Sequence, residues 1–144
     1  MMERFKVLSP LTDKKIISDF YVTHARAARV EANDFVLGLF KKNKLIALVR
    51  ISSEEEIFVL RSMQVHSDFQ RQNFGTKLLN ELETYILKRN FTPLYCIPYG
   101  HLEKFYGQIG FKTISENESP FFLQERVKGY RQRNPQSQFC IMKK

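Results

Sequence analysis

The sequence predicts a single α+β domain that spans residues 1–144, and three observations lead to this class. The apolar segments DFVLGLF, LIALVRI and IFVLRSMQV follow one another with short polar turns between them, which is typical of an antiparallel meander. Segments with apolar residues at helical spacing precede and follow this meander. The chain has no internal repeat, low-complexity tract or linker, and 144 residues suffice for one core.

The N-terminal segment begins with a predicted strand, RFKVLS, which Pro10 ends. A helix follows, and we expect Thr12 to cap it and Asp13 to lie in its first turn. Its apolar face is Ile16, Ile17, Phe20, Tyr21, His24, Ala27 and Ala28. Only an abbreviated second helix fits between Ala28 and Asn33, before the meander begins.

After the meander, helices and strands alternate. The first helix places Leu78, Leu79, Leu82, Tyr85 and Ile86 on one face. PLYCIP is a predicted strand, HLEKFYGQIGF a short helix that stops at Gly110, and FKTIS another strand. Ser119 and Pro120 begin a further helix, which ends at Asn134, and SQFCIM closes the chain as a strand.

The composition narrows the functional classes. A net charge of +8 favours anionic partners such as nucleic acid, acidic proteins, membrane surfaces and phosphorylated cofactors. The two cysteines, Cys96 and Cys140, do not make a disulfide framework. The N-terminal segment MMERFKVLSP lacks the apolar core of a signal peptide, and no apolar run is long enough to span a bilayer. We therefore expect a soluble protein of a reducing compartment, the cytoplasm.

The segment DFQRQNFGTKLL, residues 68–79, carries the first chemical signal. It lies between a predicted strand and a helix, where several main-chain N–H groups are unpaired and the helix dipole attracts anions. The patterns of a P-loop and of a dinucleotide fingerprint are both absent. The alternative is a connection that merely needed a glycine.

The second signal is KFYGQIGFKTI, about thirty residues downstream, in which a short helix carries Phe105 and Tyr106. A tyrosine on an apolar helix face is commonly a core residue, because its ring buries well and its hydroxyl needs only one partner. Tyr106 therefore has both a structural and a catalytic interpretation.

Together the two segments resemble the GNAT superfamily of acyl-CoA-dependent N-acetyltransferases. QRQNFGTKLL matches the family pattern Gln/Arg-x-x-Gly-x-Gly/Ala as Gln70-x-x-Asn73-x-Gly75, and FYGQIGF is similar to the second motif, an aromatic-Tyr pair before Gly-Phe. The resemblance runs from Phe35 to the end of the chain. It implies a mixed, mostly antiparallel central sheet, with helices on both faces and a splayed central strand pair formed by the strand ending at Val65 and by PLYCIP.

The resemblance also implies acetyl-CoA as the co-substrate, with no metal. The strand before the motif would present its main chain to the pantetheine arm, and the turn would cradle the pyrophosphate. The implied binding residues are Met63, Gln64, Val65, Gln70, Arg71, Gln72, Asn73, Phe74, Gly75 and Thr76. Asn73 departs from the family glycine, but asparagine tolerates a positive φ better than other non-glycine residues. Arg71 would add a formal charge.

The implied reaction is direct attack of a primary amine on the acetyl thioester in a ternary complex. Tyr106 matches the family position for the acid that protonates the leaving thiolate, and the main-chain N–H of Val65 is a candidate oxyanion donor. Arg61 is the only charged residue of IFVLRSMQV, so a carboxylate base is doubtful there and a water relay is expected. The three histidines are interpreted as surface or structural, and Cys96 as a buried thiol rather than a nucleophile.

The acceptor has no signature in the sequence and is either a small molecule or a protein amine. Two other classes stay open. One is a domain that binds CoA without catalysis, as a sensor or an interaction subunit. The other is a basic nucleic-acid-binding module, which is disfavoured because the charges are spread along the chain and no groove-reading motif is present. No membrane partner is expected, and a homodimer stays open.

Overall fold

The computed structural model describes residues 2–25 and 28–144. Its contacts divide the chain into two compact units, Met1–Phe91 and Thr92–Lys144. Each unit has its own strands and its own helices. The single domain over residues 1–144 stays a prediction.

The first unit contains a four-stranded antiparallel meander. Its strands are β1 (Glu3–Leu8), β2 (Phe35–Lys41), β3 (Lys44–Glu54) and β4 (Ile57–Val65), paired in chain order. Lys42 and the two turn residues Glu55 and Glu56 have positive φ, as tight hairpin turns require. The predicted meander and its end at Val65 are confirmed.

Helices cover both faces of this sheet. The helices are α1 (Lys14–His24) and α2 (Phe74–Lys88). Successive residues of a strand face opposite sides of the sheet. Val36 packs with α1, whereas the ring of its neighbour Phe35 lies 5.2 Å from that of Tyr85 in α2, so the two helices lie on opposite faces. The core on the α1 side is Leu8, Ile17, Phe20, Tyr21, Val36, Phe40 and Leu48. On the α2 side, Leu78, Leu79, Leu82 and Ile86 are fully buried.

Two N-terminal predictions are wrong in detail. The N-cap of α1 is Asp13 rather than Thr12, since the Ser9 hydroxyl accepts the main-chain N–H groups of Leu11 and Thr12. The Asp13 carboxylate accepts the N–H of Ser9 instead. The helix ends at His24, and Ala27 of its predicted apolar face lies outside the described residues.

The second helix expected between Ala28 and Asn33 is also wrong, because no residue of that segment is helical. The side chain of Asp34 accepts the N–H of Glu31 at 3.0 Å. A side-chain acceptor of this kind offers the backbone an alternative to the helical hydrogen bond.

The second unit contains three antiparallel strands, in the order β5–β7–β6. These strands are β5 (Leu94–Cys96), β6 (Lys112–Ile114) and β7 (Ile141–Lys143). Its helices are α3 (Glu103–Gly107) and α4 (Phe121–Arg133). α3 ends at Gly107 with Gln108 as its C-cap, so the stop predicted at Gly110 is wrong; Gly110 adopts φ 96° in the turn that follows.

Three further boundaries in this unit differ from the prediction. Residues 100–102 form a 3-10 turn, so α3 begins at Glu103. Pro120 is the N-cap of α4 rather than its first helical residue. The last strand begins at Ile141 rather than Ser137, and Phe139 makes only an isolated bridge. Among the described helices, none is both long and apolar enough to cross a bilayer.

Candidate functional site

The connection from β4 to α2 has the backbone geometry that the sequence predicts. A 3-10 turn at Ser67–Phe69 follows β4, and both Arg71 and Asn73 then adopt positive φ, 63° and 68°. Asn73 is the N-cap of α2 in the left-handed conformation, and its side chain makes no capping hydrogen bond. The positive φ expected at Asn73 is therefore confirmed, and the Asn73 side chain leaves the N–H groups of the first helical turn to another partner.

The predicted binding residues differ in their exposure to solvent. Gln70, Arg71, Gln72 and Asn73 are exposed, whereas Gly75, Thr76 and the three β4 residues Met63, Gln64 and Val65 are half-buried. The side chain of Phe74 is buried and lies 5.9 Å from the ring of Phe69. Phe74 can therefore meet a ligand only through its main chain.

Side-chain amides brace the loop. Gln64 and Gln70 each donate to the main-chain oxygen of Val65, at 3.0 and 3.1 Å. Gln72 donates to the main-chain oxygen of Asp68 at 3.3 Å. The Val65 carbonyl thus already has two donors, and a ligand amide that binds there must share or replace them.

Positive charge surrounds the loop. The ammonium groups of Lys41, Lys44 and Lys77 lie 5.2–5.5 Å from the ring centres of Phe69 or Phe74. Lys41 and Lys44 flank the β2–β3 turn, and Lys77 is in the first turns of α2. The Lys77 ammonium is paired with the Glu3 carboxylate at 3.0 Å. Lys41 and Lys44, together with the positive end of the helix dipole, make this corner of the first unit attractive to anions.

A pair of histidines lies beside the loop. The His24 and His66 rings are 3.9 Å apart, and His24 Nδ1 is 2.9 Å from the Ser67 hydroxyl. Burial lowers the pKa of His66, and the neighbouring His24 and Lys44 lower it further. His66 Nδ1 accepts the N–H of Asp68 at 3.0 Å, so a neutral His66 is part of the loop structure.

β4 contains a bulge that the sequence did not indicate. The register with β3 passes from Arg61–Arg50 to Gln64–Leu48, so two residues of β4, Ser62 and Met63, are opposed by one. Ser62 has φ 55°. No glycine or proline marks this position, which is why sequence reasoning missed it.

Tyr106 lies in the second unit, on α3. Its side chain is 6% exposed, and its ring meets Phe105 and Phe111 edge-on at 5.0 and 6.1 Å. These contacts fit both the structural and the catalytic interpretation of this residue.

The two cysteines are free thiols. Burial raises the pKa of Cys96 well above its usual value, and the neighbouring Cys140 raises it further. A neutral thiol is a poor nucleophile, which argues against an acyl-enzyme at Cys96. Within residues 2–25 and 28–144, no group of three or more potential ligand side chains is arranged to hold a metal ion.

A cavity of about 370 Å³ lies elsewhere in the first unit, lined by Phe35, Phe58, Arg89 and Phe91 among others. It lies beyond the C-terminal end of α2, whose 15 residues make the helix roughly 22 Å long. The cavity is therefore separate from the loop that the motif identifies.

Comparisons with known proteins bear on the whole chain. A family model described as an acetyltransferase (GNAT) domain matches residues 7–121. No curated protein sequence matches.

Solved structures share the fold at low sequence identity. The ribosomal-protein-S18-alanine N-acetyltransferase of Escherichia coli is 19% identical, with a TM-score of 0.71, 99% of this chain covered and 92% of the other. An acyl-CoA N-acyltransferase of Pseudomonas aeruginosa is 14% identical, with a TM-score of 0.72 and 99% of both chains covered. The PaiA N-acetyltransferase of Thermoplasma acidophilum, in complex with coenzyme A, is 15% identical, with a TM-score of 0.63, 100% of this chain covered and 99% of the other.

Proposed function

Because the chain belongs to the GNAT acetyltransferase family, we propose that it transfers an acetyl group from acetyl-CoA to a primary amine by direct attack in a ternary complex. The resemblance identified in the sequence, the GNAT-like α+β fold class and the assignment as an N-acetyltransferase are confirmed. The donor contacts, the roles of individual residues and the acceptor are proposals.

The observation that carries the proposal is the left-handed Asn73 at the start of α2. This conformation ends the loop and starts a 15-residue helix without a side-chain cap, so that the N–H groups of its first turn can bind an anion. Lys41 and Lys44 add positive charge beside them. A diphosphate, as in CoA, suits this combination of N–H donors and cations.

The proposed acyl transfer also needs a donor to the oxyanion, an acid for the leaving thiolate and a base for the amine proton. The amine attacks the thioester carbon as the neutral base, the C–N bond forms, and the C–S bond breaks as the tetrahedral intermediate collapses. The N–H of His66 donates to the Ile46 oxygen of β3, and successive N–H groups of a strand alternate in direction. The N–H of Val65 therefore points away from β3, which suits an oxyanion donor. Tyr106 protonates the departing thiolate, and a water relay removes the amine proton.

The first test is binding of CoA. We expect CoA at 100 times its Kd to raise the melting temperature by about 5–10 °C, because a ligand that binds only the folded state stabilises it by mass action. The measurement is a thermal melt with CoA, with pantetheine as the control that lacks the diphosphate and should shift the melt less. No shift at millimolar CoA, with the protein folded, would contradict the proposal.

The second test is turnover. Acetyl-CoA is incubated with a panel of small amines and peptides, and free thiol is measured. Release of thiol that depends on the amine supports the enzyme. CoA binding with no release for any amine would instead identify a non-catalytic CoA-binding domain. A fluorescent-oligonucleotide titration over a salt series tests the nucleic-acid alternative.

Substitutions at Asn73 test the loop itself. Asn73→Gly should leave the CoA affinity unchanged or improved, whereas Asn73→Val should weaken it about 10-fold, because a β-branched residue resists positive φ. Calorimetric titration of CoA measures both. Asn80→Val, an exposed asparagine within α2, is the matched control and should bind CoA normally. Equal affinity in all variants would show that the turn does not depend on a permissive residue.

Two further proposals concern the cellular location of the protein and its domain organisation. The free thiols of Cys96 and Cys140 suit a reducing compartment, and we place the protein in the cytoplasm. We also propose that residues 1–144 act as one acetyltransferase domain, because the family model extends over parts of both compact units.

A further inference from the structure

Tyr21 links α1 to the bulge of β4. Its hydroxyl donates to the main-chain oxygen of Ser62 at 2.7 Å, although 41 residues separate the two in sequence. The side chain is 1% exposed. Burial raises the pKa of this hydroxyl far above the ordinary tyrosine value, so it stays protonated and remains a donor at any working pH.

The residue that Tyr21 holds is in an unfavourable conformation. Ser62 has φ 55°, in the left-handed region that non-glycine residues rarely adopt. It is one of the two bulge residues that are opposed by a single residue of β3. A conformation of this kind persists only where the surroundings determine it, and the Tyr21 hydrogen bond is such a determinant.

The direction of the Ser62 carbonyl fixes the direction of the next N–H group. In a trans peptide, the carbonyl of Ser62 and the N–H of Met63 point to opposite sides. Because the carbonyl points to Tyr21, the Met63 N–H points away from α1. Met63 is the first of the three β4 residues proposed to meet the donor, and Val65, two residues on, is the proposed oxyanion donor.

We propose that Tyr21 is a positioning residue for acyl transfer: it holds the Ser62–Met63 peptide so that main-chain N–H groups of β4 are aligned with the thioester carbonyl. This inference rests on the proposed function. Tyr21 does not touch the substrate, and its effect reaches the reaction through Ser62. A donor aligned in advance stabilises the developing oxyanion without reorganisation during the reaction.

The test uses Tyr21→Phe, which keeps the buried ring and removes only the hydroxyl. The primary readout needs no acceptor: the infrared carbonyl band of [1-13C]acetyl-CoA bound to the protein. A hydrogen bond to the thioester carbonyl lowers this frequency. We expect a lowered band in the wild type and a band closer to that of free acetyl-CoA in Tyr21→Phe.

The matched control is Tyr85→Phe, a tyrosine of α2 in the same unit, which should keep the wild-type band. With an acceptor from the amine panel, kcat of Tyr21→Phe should fall about 10-fold, less than the 10²–10³ that follows loss of a donor. KM for acetyl-CoA should stay within about threefold. Ser62→Gly in the Tyr21→Phe background should recover part of both the band shift and kcat, because glycine adopts positive φ without support.

The possible results distinguish a failure of the positioning role of Tyr21 from a failure of the proposed function. If acetyl-CoA binds and Tyr21→Phe has the wild-type band and the wild-type kcat, the positioning role is wrong and the proposed function stands. If acetyl-CoA neither binds nor shifts the melt of the wild type, both are wrong. If Tyr21→Phe loses CoA binding as well, Tyr21 supports the fold of the strand generally, and the specific role is overturned.

Discussion

Replacing Tyr106 by phenylalanine should lower turnover about 100-fold, the low end for loss of a general acid. The ring and its edge contacts with Phe105 and Phe111 are kept, so the fold should be kept too. Acetyl-CoA affinity should change only a few-fold, since one exchanged hydrogen bond contributes about 1 kcal/mol. The measurements are steady-state thiol release on an accepted amine and its pH profile, in which the high-pH limb should vanish if it reports this acid.

Tyr95→Phe is the matched control for this experiment. Tyr95 belongs to the same unit and, like Tyr106, is 6% exposed. If Tyr106 is only a core aromatic, the two variants should behave alike, with a small loss of stability and nearly normal turnover. Wild-type turnover in Tyr106→Phe would remove this residue from the mechanism.

Replacing Asp34 by alanine should destabilise the protein by about 3–5 kcal/mol, the range for breaking a buried ion pair. Asp34 Oδ2 lies 2.7 Å from Arg50 Nη1, and the two side chains are 1% and 3% exposed. Alanine would leave the guanidinium of Arg50 buried without its carboxylate, and among the described residues the Ser52 hydroxyl, at 3.1 Å, is the partner that remains. Because a native domain has only about 5–15 kcal/mol of stability in total, urea denaturation should show a large shift of the midpoint.

Two further variants test whether the loss of stability in Asp34→Ala comes from breaking the buried ion pair. Lys15→Ala removes an exposed ion pair with Asp19, at 3.1 Å, and should change stability little. The double variant Asp34→Leu with Arg50→Met should recover much of the loss, because apolar residues of similar volume need no charge partner. If Asp34→Ala is no less stable than Lys15→Ala, the buried pair does not stabilise this unit as inferred.

The sequence predicted the structure correctly where the local preference of the residues and their packing favour the same conformation. β2 and β4 are largely apolar runs between turn residues, and their limits follow from that pattern. β3 does not fit it, because this strand continues beyond the predicted LIALVRI through two serines to Glu54. Asn73 was identified as a positive-φ position because it replaces a glycine of the family motif that the segment resembles, and asparagine tolerates that conformation. In these places the residue type itself carries the information.

The sequence did not predict the local conformation where a contact with a residue distant in the chain determines it. The bulge at Ser62 is held by Tyr21, which no local pattern connects to it. The segment between Ala28 and Asn33 is not helical, and the carboxylate of Asp34 beside it binds both Glu31 and Arg50. The splitting of SQFCIM into an isolated bridge at Phe139 and a strand from Ile141 likewise depends on which neighbour each residue meets.

The braced loop has a consequence for the thermodynamics of ligand binding. Gln70 and Gln72 tie the segment to Val65 and Asp68, and His66 holds the N–H of Asp68, all before any ligand arrives. Ordering a flexible segment on binding normally offsets part of the contact energy. Here part of that conformational entropy is already lost when the chain folds, so the loop needs less ordering when a phosphate-bearing ligand binds. Association should then resemble rigid docking, with little change in heat capacity beyond the apolar area covered.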